Sequence, residues 1–581
     1  MSKQRNFSRE RKELQKKGCM PSWMTTMGWQ LFSEKYLNGD CKTPKDQYER
    51  IAKTLAQYAP NEYPDFWEES EYFKGLNWEE AFFKTMWEGF ISPSTPLLSN
   101  TGTDYGMSVS CSGSYVGNSV YDFYDTRKAN AMLSKEGFGT SVYLGDIQAR
   151  GTEMGFGKAS GAQPVAEMFV DDSKKISQGA QRRGANAWYY PIDGGDFDEL
   201  VHYLETDTDS NNAGWNITDA LRDQLLSGDK EAVKRWGQML SCKGNVGSGY
   251  QMFVDKVNRL HRPQMYIDKG LEVKASQLCS EILLYSDQDN IYTCVLASEN
   301  LRQFDDRPEN LAFVGIVMLD CVCSDFIAKA KTKRGMEKAV KFTEEHRALG
   351  YGAMAFHTYL LDHKMVWGDL QSKLANKRMF RTIKAEALEA SKWLAKVLGE
   401  PEICKGYGVR NTHLLAIAPT KSTALIVNSV SEGINPQVGF VFTQSTPAGE
   451  VVRIDPSFLE VIKEMGIYVS EDDEGTKEFL YNIVNHKGSI QHRPEFDEDT
   501  KAIFRTAFEI NPYSHLDMVA DRQEFICQGQ SCNLFLANMT GKEISKLYTY
   551  AMLHPNIFTV YYQYGLRDAS IKTNYICESC S

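Results

Sequence analysis

Apolar residues recur at helical spacing near the start of the chain. Residues 43–46 supply a threonine N-cap, a proline at the first helical position and an aspartate three residues after the cap. Tyr48, Ile51, Leu55 and Tyr58 follow on one face, as in a helix that packs one side against a core. We therefore predict that the first 90 residues form a short N-terminal helical region.

From about residue 91 the pattern changes to short apolar runs that glycine and proline interrupt, with helical segments such as residues 386–397 between them. The clearest apolar runs are residues 140–145, 349–356 and 412–418. Such alternation favours an α/β fold with mostly parallel strands.

A second well-marked helix is predicted near the C-terminus. Residues 540–543 form a capping box, an apolar stripe covers residues 544–551, and the helix is predicted to stop at His554, which precedes a proline. The tyrosine-rich residues 558–564 are then predicted to form a strand. Residues 565–581 show no hydrophobic period, so we expect a mobile tail there.

Composition narrows the class of protein. The chain of 581 residues is long enough for about four average domains, although one α/β barrel can absorb several hundred residues. Its net charge of −11 is mild and it has no dense block of lysine and arginine, which disfavours nucleic acid as a partner. The longest apolar run, residues 311–319, is shorter than the ~18 residues of a membrane span, and no signal peptide is evident. We expect a cytoplasmic protein with small-molecule or protein partners.

Thirteen cysteines in a chain without export signals are expected to be thiols, not a disulfide framework. Cys577 and Cys580 form a terminal C-x-x-C pair, which suits thiol–disulfide exchange. A two-electron thiol oxidoreductase that uses this pair alone is one alternative. Half of a zinc site is another, to be completed by Cys527 and Cys532 or by Cys321 and Cys323.

A thiol and a carboxylate lie two residues apart at Cys279 and Glu281. In an extended segment such residues face the same side, so we predict that they address one substrate together, for example as nucleophile and base. Cys294 follows, and Cys111 lies far upstream after a segment rich in serine and proline. Each cysteine alone is a weak indication of function, because buried free cysteines are commonly small hydrophobic residues.

Together these segments resemble the large, catalytic subunit of class I ribonucleotide reductase. The resemblance runs from about residue 91 to the C-terminus and depends on the number and order of the motifs. Those motifs are Ser92-Pro93-Ser94-Thr95-Pro96, Ser110-Cys111, the glycine-rich residues 177–187, Leu278-Cys279 with Glu281, Cys294, residues 347–352, 410–412, 418–423 and 432–436, Tyr561-Tyr562, and the terminal C-x-x-C.

The resemblance implies a fold. Residues 91–564 would form a ten-stranded α/β barrel, made of two five-stranded parallel halves around a central finger loop. The helical region of residues 1–90 would precede the barrel, and residues 565–581 would form a redox tail. The ATP cone found at the N-terminus of many relatives has no counterpart, so we expect no control of overall activity through a cone.

The resemblance also implies chemistry, namely reduction of the ribose 2′-hydroxyl of a ribonucleoside diphosphate to make deoxyribonucleotides. A thiyl radical on Cys279 would remove the 3′-hydrogen, while Glu281 would accept the 3′-hydroxyl proton as general base. Cys111 and Cys294 would supply the reducing equivalents and close into a disulfide.

Two further pairs would serve this site. Tyr561 and Tyr562 match the relay that carries the radical from a separate, ferritin-like small subunit with a dimetal centre. Cys577 and Cys580 would reopen the disulfide, with thioredoxin or glutaredoxin as the external reductant. No metal site and no chemical cofactor is expected in this chain itself. The main alternative is an adenosylcobalamin-dependent relative, which shares the thiol chemistry but does not need the tyrosine pair.

Substrate contacts follow from the same resemblance. Thr95 and Ser110 would contact the ribose or phosphate region of the nucleotide. The turn that would hold the diphosphate consists of Thr420, Lys421, Ser422 and Thr423. Two positions depart from the family: Gln277 replaces an asparagine, and Lys421 replaces an acid common in class I. We expect Gln277 to keep its hydrogen bond and Lys421 to add a charge-assisted phosphate contact.

A deoxynucleotide or ATP effector is expected at the family's specificity site, on the interface of a homodimer. The residues at or near the matching positions are Asn118, Arg150, Lys158, Gln178, Arg182 and Arg183. Asn118 takes the place of an acid, so we expect control of substrate choice to survive with altered contacts.

Overall fold

The structure is a computed structural model that describes residues 5–176, 178, 184–206, 211–446, 449–470 and 473–566. Four predicted site residues lie outside the described residues, namely Arg182, Arg183, Cys577 and Cys580. The strands are β1 (Ile91–Pro93), β2 (Cys111–Tyr115), β3 (Gly139–Tyr143), β4 (Asn186–Pro191), β5 (Asn212–Asn216), β6 (Tyr250–Met252), β7 (Tyr292–Asn300), β8 (Leu349–Met354), β9 (Val441–Thr446), β10 (Gly449–Ile454), β11 (Leu534–Leu536), β12 (Thr559–Val560) and β13 (Gln563–Gly565).

The helices are α1 (Phe7–Lys16), α2 (Thr26–Leu31), α3 (Pro44–Ala56), α4 (Trp78–Trp87), α5 (Thr95–Asn100), α6 (Val120–Lys135), α7 (Ala162–Lys175), α8 (Phe197–Thr206), α9 (Asp219–Ser227), α10 (Lys230–Val246), α11 (Val254–Leu260), α12 (Gln264–Asp268), α13 (Leu311–Ala330), α14 (Glu337–His346), α15 (Phe356–Asp362), α16 (Leu370–Leu398), α17 (Lys421–Ile426), α18 (Pro456–Glu464), α19 (Glu474–Asn485), α20 (Glu498–Ile503), α21 (Pro512–Gln523) and α22 (Gly541–Leu553).

Helices α1 to α4 confirm the predicted N-terminal helical region. At the start of α3, the Thr43 side chain accepts a hydrogen bond from the Asp46 N–H, and the Asp46 carboxylate accepts one from the Thr43 N–H. The apolar face of α3 packs on α4 and α13. The region also touches the barrel, because the Tyr36 hydroxyl oxygen lies 3.2 Å from Thr95 Oγ1.

Five parallel strands form the first half of the central sheet. β2, β3, β4, β5 and β6 pair in this order, and each strand runs parallel to the next. Helices α6 to α10 lie in the connections between these strands, as parallel pairing requires. The predicted α/β arrangement with parallel strands is confirmed for this half.

Five segments form the second half. β7 runs parallel to β8, Tyr351 of β8 bridges to Leu415, and Ile417 bridges to Gln530, all in the parallel sense. β11 pairs in parallel with β13. The apolar run at residues 412–418 is thus a barrel segment, although it makes isolated bridges and not a continuous ladder.

The two halves join in antiparallel fashion. β2 pairs with β7 at one seam, and β6 pairs with β12 at the other. The backbone N–H of Tyr561 donates to the carbonyl of Cys532, which links the last two segments. These pairings close a ring of ten segments and confirm the predicted barrel of two five-stranded parallel halves.

α13 is apolar and long enough, by length and composition alone, to cross a membrane. Here it is enclosed by α3, α16, β7 and β8, and 83% of its most apolar window is buried inside the protein. It extends beyond the apolar run at residues 311–319 because Asp320 and Asp325 within it have buried polar partners, Arg347 and Ser108. We interpret α13 as a core helix of the barrel.

A segment without helix or strand, residues 271–291, runs between α12 and β7 through the barrel interior and forms the predicted finger loop. Gly529 packs against its tip, where a Cβ would lie 3.1 Å from the carbonyl oxygens of Ser280 and Glu281. A side chain here would have to push this backbone back by a few tenths of an ångström, away from the position in which the Gly529 N–H donates to the Glu281 carbonyl at 2.7 Å.

The β9–β10 hairpin packs with α18 and α19 around a separate apolar cluster that includes Phe440, Phe458 and Ile483. The sequence patterns made no prediction for this unit.

Candidate active site

A pocket at the centre of the barrel collects side chains from β1, β2, β7, the finger loop and the turn before α17. The pocket is partly open to solvent and has a cavity volume of about 40 Å³. Seven residues predicted as site residues line it, namely Thr95, Ser110, Cys111, Cys279, Glu281, Thr420 and Thr423. The structure therefore brings together segments that lie far apart in the sequence.

Cys279 and Glu281 occupy a tight turn at the tip of the finger loop, so the expected extended segment is wrong. Ser280 between them has a φ of 68°, and its N–H donates to the Gln277 carbonyl at 3.2 Å. Ser531 meets the turn from the opposite side: its Oγ lies 2.7 Å from the Cys279 carbonyl and 3.0 Å from Glu281 Oε2. The two side chains do address one pocket, as predicted. A tight turn directs them there, and not the alternation of side chains along a strand.

Glu281 is 1% exposed. Burial raises the pKa of its carboxyl to about 7, and the Gln277 and Ser531 side chains only partly oppose this rise. Its Oε1 atom has no hydrogen-bond partner among the described residues. A carboxylate with a pKa near neutrality and an available oxygen suits a general base at physiological pH.

Gln277 braces the finger loop. Its Oε1 accepts from the Ile282 N–H at 3.2 Å, and its backbone carbonyl accepts from the Tyr189 hydroxyl at 2.8 Å. Its buried Nε2 has no hydrogen-bond partner within the described part of the chain. Gln277 does not line the pocket, but its side chain lies close enough to Glu281 to lower the pKa of that carboxyl. Its predicted hydrogen bond to the substrate stays a prediction.

Cys111 and Cys294 face each other across the first seam of the barrel, as directly paired residues of β2 and β7. Directly opposed antiparallel residues have Cα atoms about 4.5–5.5 Å apart, which a disulfide can span. Both side chains are buried, and burial together with the neighbouring Cys111 raises the pKa of the Cys294 thiol. In the reduced protein Cys294 is therefore a protonated thiol directly opposite Cys111.

Residues 420–423, predicted as a turn, form the N-cap and first turn of α17, and only two of their side chains are directed to the pocket. Thr420 and Thr423 line it, whereas Lys421 and Ser422 do not. Thr420 has a φ of 55°, and its hydroxyl oxygen accepts from the Gly433 N–H at 2.8 Å, which fixes the turn.

Tyr561 and Tyr562 interrupt the last strand, between β12 and β13. This break supplies the twist that two contacting rings need, since neighbours on a regular strand face opposite sides. The ring centroids are 4.4 Å apart and the planes are inclined by 65°, so the rings meet edge to face. Tyr561 is buried in the apolar cluster that contains Cys279, and Tyr562 is half-buried beside it.

Tyr250 of β6 joins the tyrosine pair. Its ring centroid lies 4.7 Å from that of Tyr561 and 5.3 Å from that of Tyr562, and its hydroxyl oxygen lies 3.0 Å from the Tyr562 hydroxyl oxygen. No sequence motif singled out Tyr250. Its contact with the pair arises from the second barrel seam, between β6 and β12.

Other contacts at the site were also missed from the sequence. Ser298 lines the pocket opposite β1, Tyr36 reaches Thr95 from the helical region, and Ser531 braces Glu281. A single serine or tyrosine carries no motif, so these roles appear only when distant segments meet.

The four described effector candidates all make contacts within the chain. Their partners are the Gln148 N–H for Asn118, the Glu199 carboxylate for Arg150, the Glu153 carboxylate for Lys158, and Asn100 Oδ1 for Gln178. Asn118 and Arg150 therefore belong to one loop region, whereas Gln178 lies against the C-terminal end of α5.

The cysteines considered for a zinc site have other partners. Cys527 Sγ accepts hydrogen bonds from the N–H groups of Leu414 and Leu415, and Cys532 Sγ lies 3.6 Å from His515 Nε2. Within the described ranges, no group of three or more His, Cys, Asp and Glu side chains is arranged to hold a metal ion. The zinc interpretation therefore gains no support from these residues.

We expect the rate of substrate turnover to rise with pH through about 7, because Glu281 must lose its proton to act as a base. The folded-state pKa lies above the ordinary value of 4.5, so the folded chain holds an extra proton between these values. In this window Glu281 lowers the stability of the fold as pH rises. Rate–pH profiles and melting temperatures of the wild type and Glu281→Gln test both expectations.

Glu299→Gln is the matched control for this profile. Glu299 is also buried and burial raises its pKa to about 7, but it pairs with Arg307 and does not line the pocket. The assignment of this pH dependence to Glu281 is contradicted if the fall in rate below about pH 7 persists in Glu281→Gln. It is also contradicted if that fall disappears in Glu299→Gln.

Two family models cover most of the chain. The ribonucleotide reductase barrel domain matches residues 109–222, 224–402 and 400–562, and the ribonucleotide reductase all-alpha domain matches residues 22–106. The barrel match contains the finger loop, both opposed cysteines and the tyrosine pair.

Individual relatives agree with these matches. The chain is 30% identical to the putative ribonucleoside-diphosphate reductase large subunit of Frog virus 3, over 77% of this chain and 81% of the relative. It is 25% identical to the ribonucleoside-diphosphate reductase large subunit of Invertebrate iridescent virus 3, over 92% of this chain and 93% of the relative.

A solved structure extends the agreement to three dimensions. The class Id ribonucleotide reductase alpha subunit of Actinobacillus ureae superposes with a TM-score of 0.83 at 32% identity, and the match covers 94% of this chain and 97% of that chain. The barrel, the finger loop and the helical region are thus shared features. The chain belongs to the ribonucleotide reductase large-subunit family.

Proposed function

We propose that this chain is the catalytic subunit of a class I ribonucleoside-diphosphate reductase, which replaces the ribose 2′-hydroxyl of a nucleoside diphosphate with hydrogen. One observation carries the proposal: a single buried pocket holds Cys279 and Glu281 opposite Cys111, which is paired across the seam with Cys294. This is the set of groups that radical reduction of a ribose needs.

The proposed reaction balances within the pocket. A thiyl on Cys279 takes the 3′-hydrogen, Glu281 takes the 3′-hydroxyl proton, and the 2′-oxygen leaves as water. Cys111 and Cys294 give two electrons and two protons as they join in a disulfide: one proton leaves in the water and the other is added at the 2′ carbon. Glu281 returns its proton to the 3′ oxygen. Cys279 finally returns its hydrogen to the 3′ carbon, which regenerates the thiyl radical.

We propose that Thr95 and Ser110 contact the ribose or phosphate region, and that Thr420 and Thr423 contact the diphosphate. The pocket position of these four hydroxyl groups supports this division. Glu281 Oε1 is then the partner of a ribose hydroxyl group, because it is a buried polar atom of a pocket residue with unused hydrogen-bonding capacity among the described residues. Gln277 is proposed to support this carboxylate.

The radical is proposed to come from the small subunit, a ferritin-like protein with a dimetal centre, and to pass through Tyr562 and Tyr561 to Cys279. Contact between the two rings, and the shared apolar cluster of Tyr561 and Cys279, support this direction. Burial in that cluster separates the Tyr561 ring from water.

Several predictions from the sequence remain part of the proposal. Cys577 and Cys580 reduce the internal disulfide and are themselves reduced by thioredoxin or glutaredoxin. Residues 1–90, 91–564 and 565–581 act as helical region, catalytic barrel and redox tail. A deoxynucleotide or ATP effector binds near Asn118 and Arg150 at a homodimer interface, and the enzyme works in the cytoplasm.

The test is a reconstitution with CDP and dithiothreitol. We expect dCDP to form when a dimetal small subunit is added, and not when adenosylcobalamin replaces that subunit. Formation of dCDP with adenosylcobalamin alone would establish the cobalamin-dependent alternative. A parallel reaction with CTP distinguishes diphosphate from triphosphate specificity.

A further inference from the structure

Tyr564 lies two residues beyond Tyr562, on β13, and is half-buried. Tyr562 lies in the break just before β13, so the contact between the two side chains is given by their ring geometry and not by strand alternation. Their ring centroids are 5.9 Å apart with planes inclined by 33°. Three tyrosines therefore follow one another from the buried Tyr561 through Tyr562 to Tyr564.

Two neighbours hold the Tyr564 ring. Phe535 of the adjacent strand stacks on it, with centroids 5.3 Å apart and planes inclined by 15°. Lys421 Nζ donates to the Tyr564 hydroxyl oxygen at 3.2 Å. The same ammonium lies 5.8 Å from the Tyr564 ring centroid and 5.9 Å from that of Tyr562.

These contacts place Lys421 between two parts of the site. Its backbone belongs to the turn whose Thr420 and Thr423 line the pocket, whereas its side chain points to the tyrosines. The lysine that was expected to bind phosphate is thus engaged by an aromatic group that the proposed function does not yet use.

We propose that Tyr564 is a third redox-active tyrosine, the outermost member of the relay, and that Lys421 positions its hydroxyl group. The proposal rests on the relay described under the proposed function. Ring contacts from Tyr561 through Tyr562 to Tyr564 and the anchored Tyr564 hydroxyl group support it.

The step balances with one-electron chemistry. An electron and the hydroxyl proton leave Tyr564 for the one-electron oxidant of the small subunit, which is reduced. An electron and the hydroxyl proton of Tyr562 then restore Tyr564, and the neutral radical now resides on Tyr562. Hydrogen bonding from Lys421 to the Tyr564 oxygen stabilises the electron-rich phenol more than the neutral radical, which favours inward transfer.

The experiment replaces Tyr564 with 3-aminotyrosine, a more easily oxidised phenol that traps the radical. The full-length variant is mixed with the small subunit, CDP and effector, frozen, and examined by electron paramagnetic resonance. We expect an aminotyrosyl signal at position 564, as at position 562. Tyr468 is the matched control, because it is also half-buried and Lys463 Nζ lies 5.5 Å from its ring centroid, yet it belongs to the separate hairpin unit.

The outcomes separate the two proposals. A signal at 562 without one at 564 overturns the role of Tyr564 and leaves the relay intact. Absence of a signal at 561, 562 and 564 overturns the relay and the third tyrosine together. A signal of equal size at 468 shows non-specific oxidation and also overturns the proposal.

Turnover gives a second readout. Tyr564→Phe and Lys421→Met are both expected to lower kcat about tenfold, which corresponds to ~1.4 kcal/mol in the barrier, while the KM for CDP is unchanged. Lys463→Met should leave kcat unchanged. A raised KM with an unchanged kcat in Lys421→Met would mean that Lys421 serves phosphate binding and not the tyrosines.

Discussion

Cys279→Ser is expected to abolish dCDP formation, with a residual rate at least about 1,000-fold below that of the wild type, as is usual when an essential catalytic group is removed. An oxygen–hydrogen bond is much stronger than a sulfur–hydrogen bond, so serine cannot hold the radical that removes the 3′-hydrogen. Cys279 is 2% exposed and the substitution changes a single atom, so the barrel should keep its fold. Product chromatography after reconstitution with the small subunit measures the loss.

The matched control is Cys404→Ser. Cys404 is equally a buried thiol, but it lies beside Met265 in a different apolar cluster, with its Sγ 3.7 Å from the Met265 sulfur. This variant should keep its activity if it folds, which circular dichroism and melting temperature report. Turnover by Cys279→Ser at a rate near that of Cys404→Ser would refute thiyl chemistry at this position.

Asp320→Asn is expected to destabilise the fold by about 3 kcal/mol or more, the typical cost of leaving buried charges without their partner. Asp320 is 2% exposed and accepts hydrogen bonds from Arg347 at 2.7 Å and from Arg410 at 3.0 Å. Asn411 Nδ2 donates to the same carboxylate at 3.0 Å. These contacts explain why the arginine motifs at residues 347–352 and 410–412 occur together: they fasten the core helix α13 to the barrel.

The pH dependence of this effect has a definite sign. Burial by itself raises the pKa of Asp320, but Arg347 and Arg410 outweigh it and lower the pKa to about 2, below the ordinary 3.8. The ionised Asp320 carboxylate therefore contributes its full stabilisation of the fold above pH 3.8, and this stabilisation is lost as pH falls toward 2. In urea unfolding, the difference in unfolding free energy between the wild type and Asp320→Asn should shrink as pH is lowered from about 3.8 toward 2.

Glu474→Gln supplies the comparison for Asp320→Asn. Its ion pair with Lys477 is exposed on the surface, with side-chain exposures of 90% and 40%. Exposed pairs contribute little, so the urea midpoint should change by less than the equivalent of about 1 kcal/mol. If Asp320→Asn and Glu474→Gln lost equal amounts of unfolding free energy, burial would not be what makes the Asp320 ion pairs stabilising.

Local sequence patterns predicted the parts of the fold that depend on neighbouring residues. α22 begins with the predicted capping box of Thr540 and Glu543, buries Leu547 and Ala551, and ends before His554. In these elements the capping side chains and the apolar stripe lie within a few turns of one another, so short-range spacing was sufficient.

The finer geometry of the site was not predictable in this way. Ser531 contacts Glu281 across 250 residues of sequence, and Tyr250 reaches Tyr562 across 312. The turn at Ser280 requires a left-handed backbone that serine does not signal. Such features depend on how the barrel closes, which the order of motifs implied only in outline.

The position of Cys111 and Cys294 links the proposed catalytic cycle to the way the two halves of the barrel are joined. They pair across one of the two antiparallel seams at which the halves of the barrel meet. A disulfide there would join the two halves covalently at a seam that backbone hydrogen bonds and an apolar cluster around Tyr292 hold in the reduced protein. Each turnover would therefore end with the halves of the barrel cross-linked, and the arriving reductant would have to act on this seam before the next substrate could be reduced.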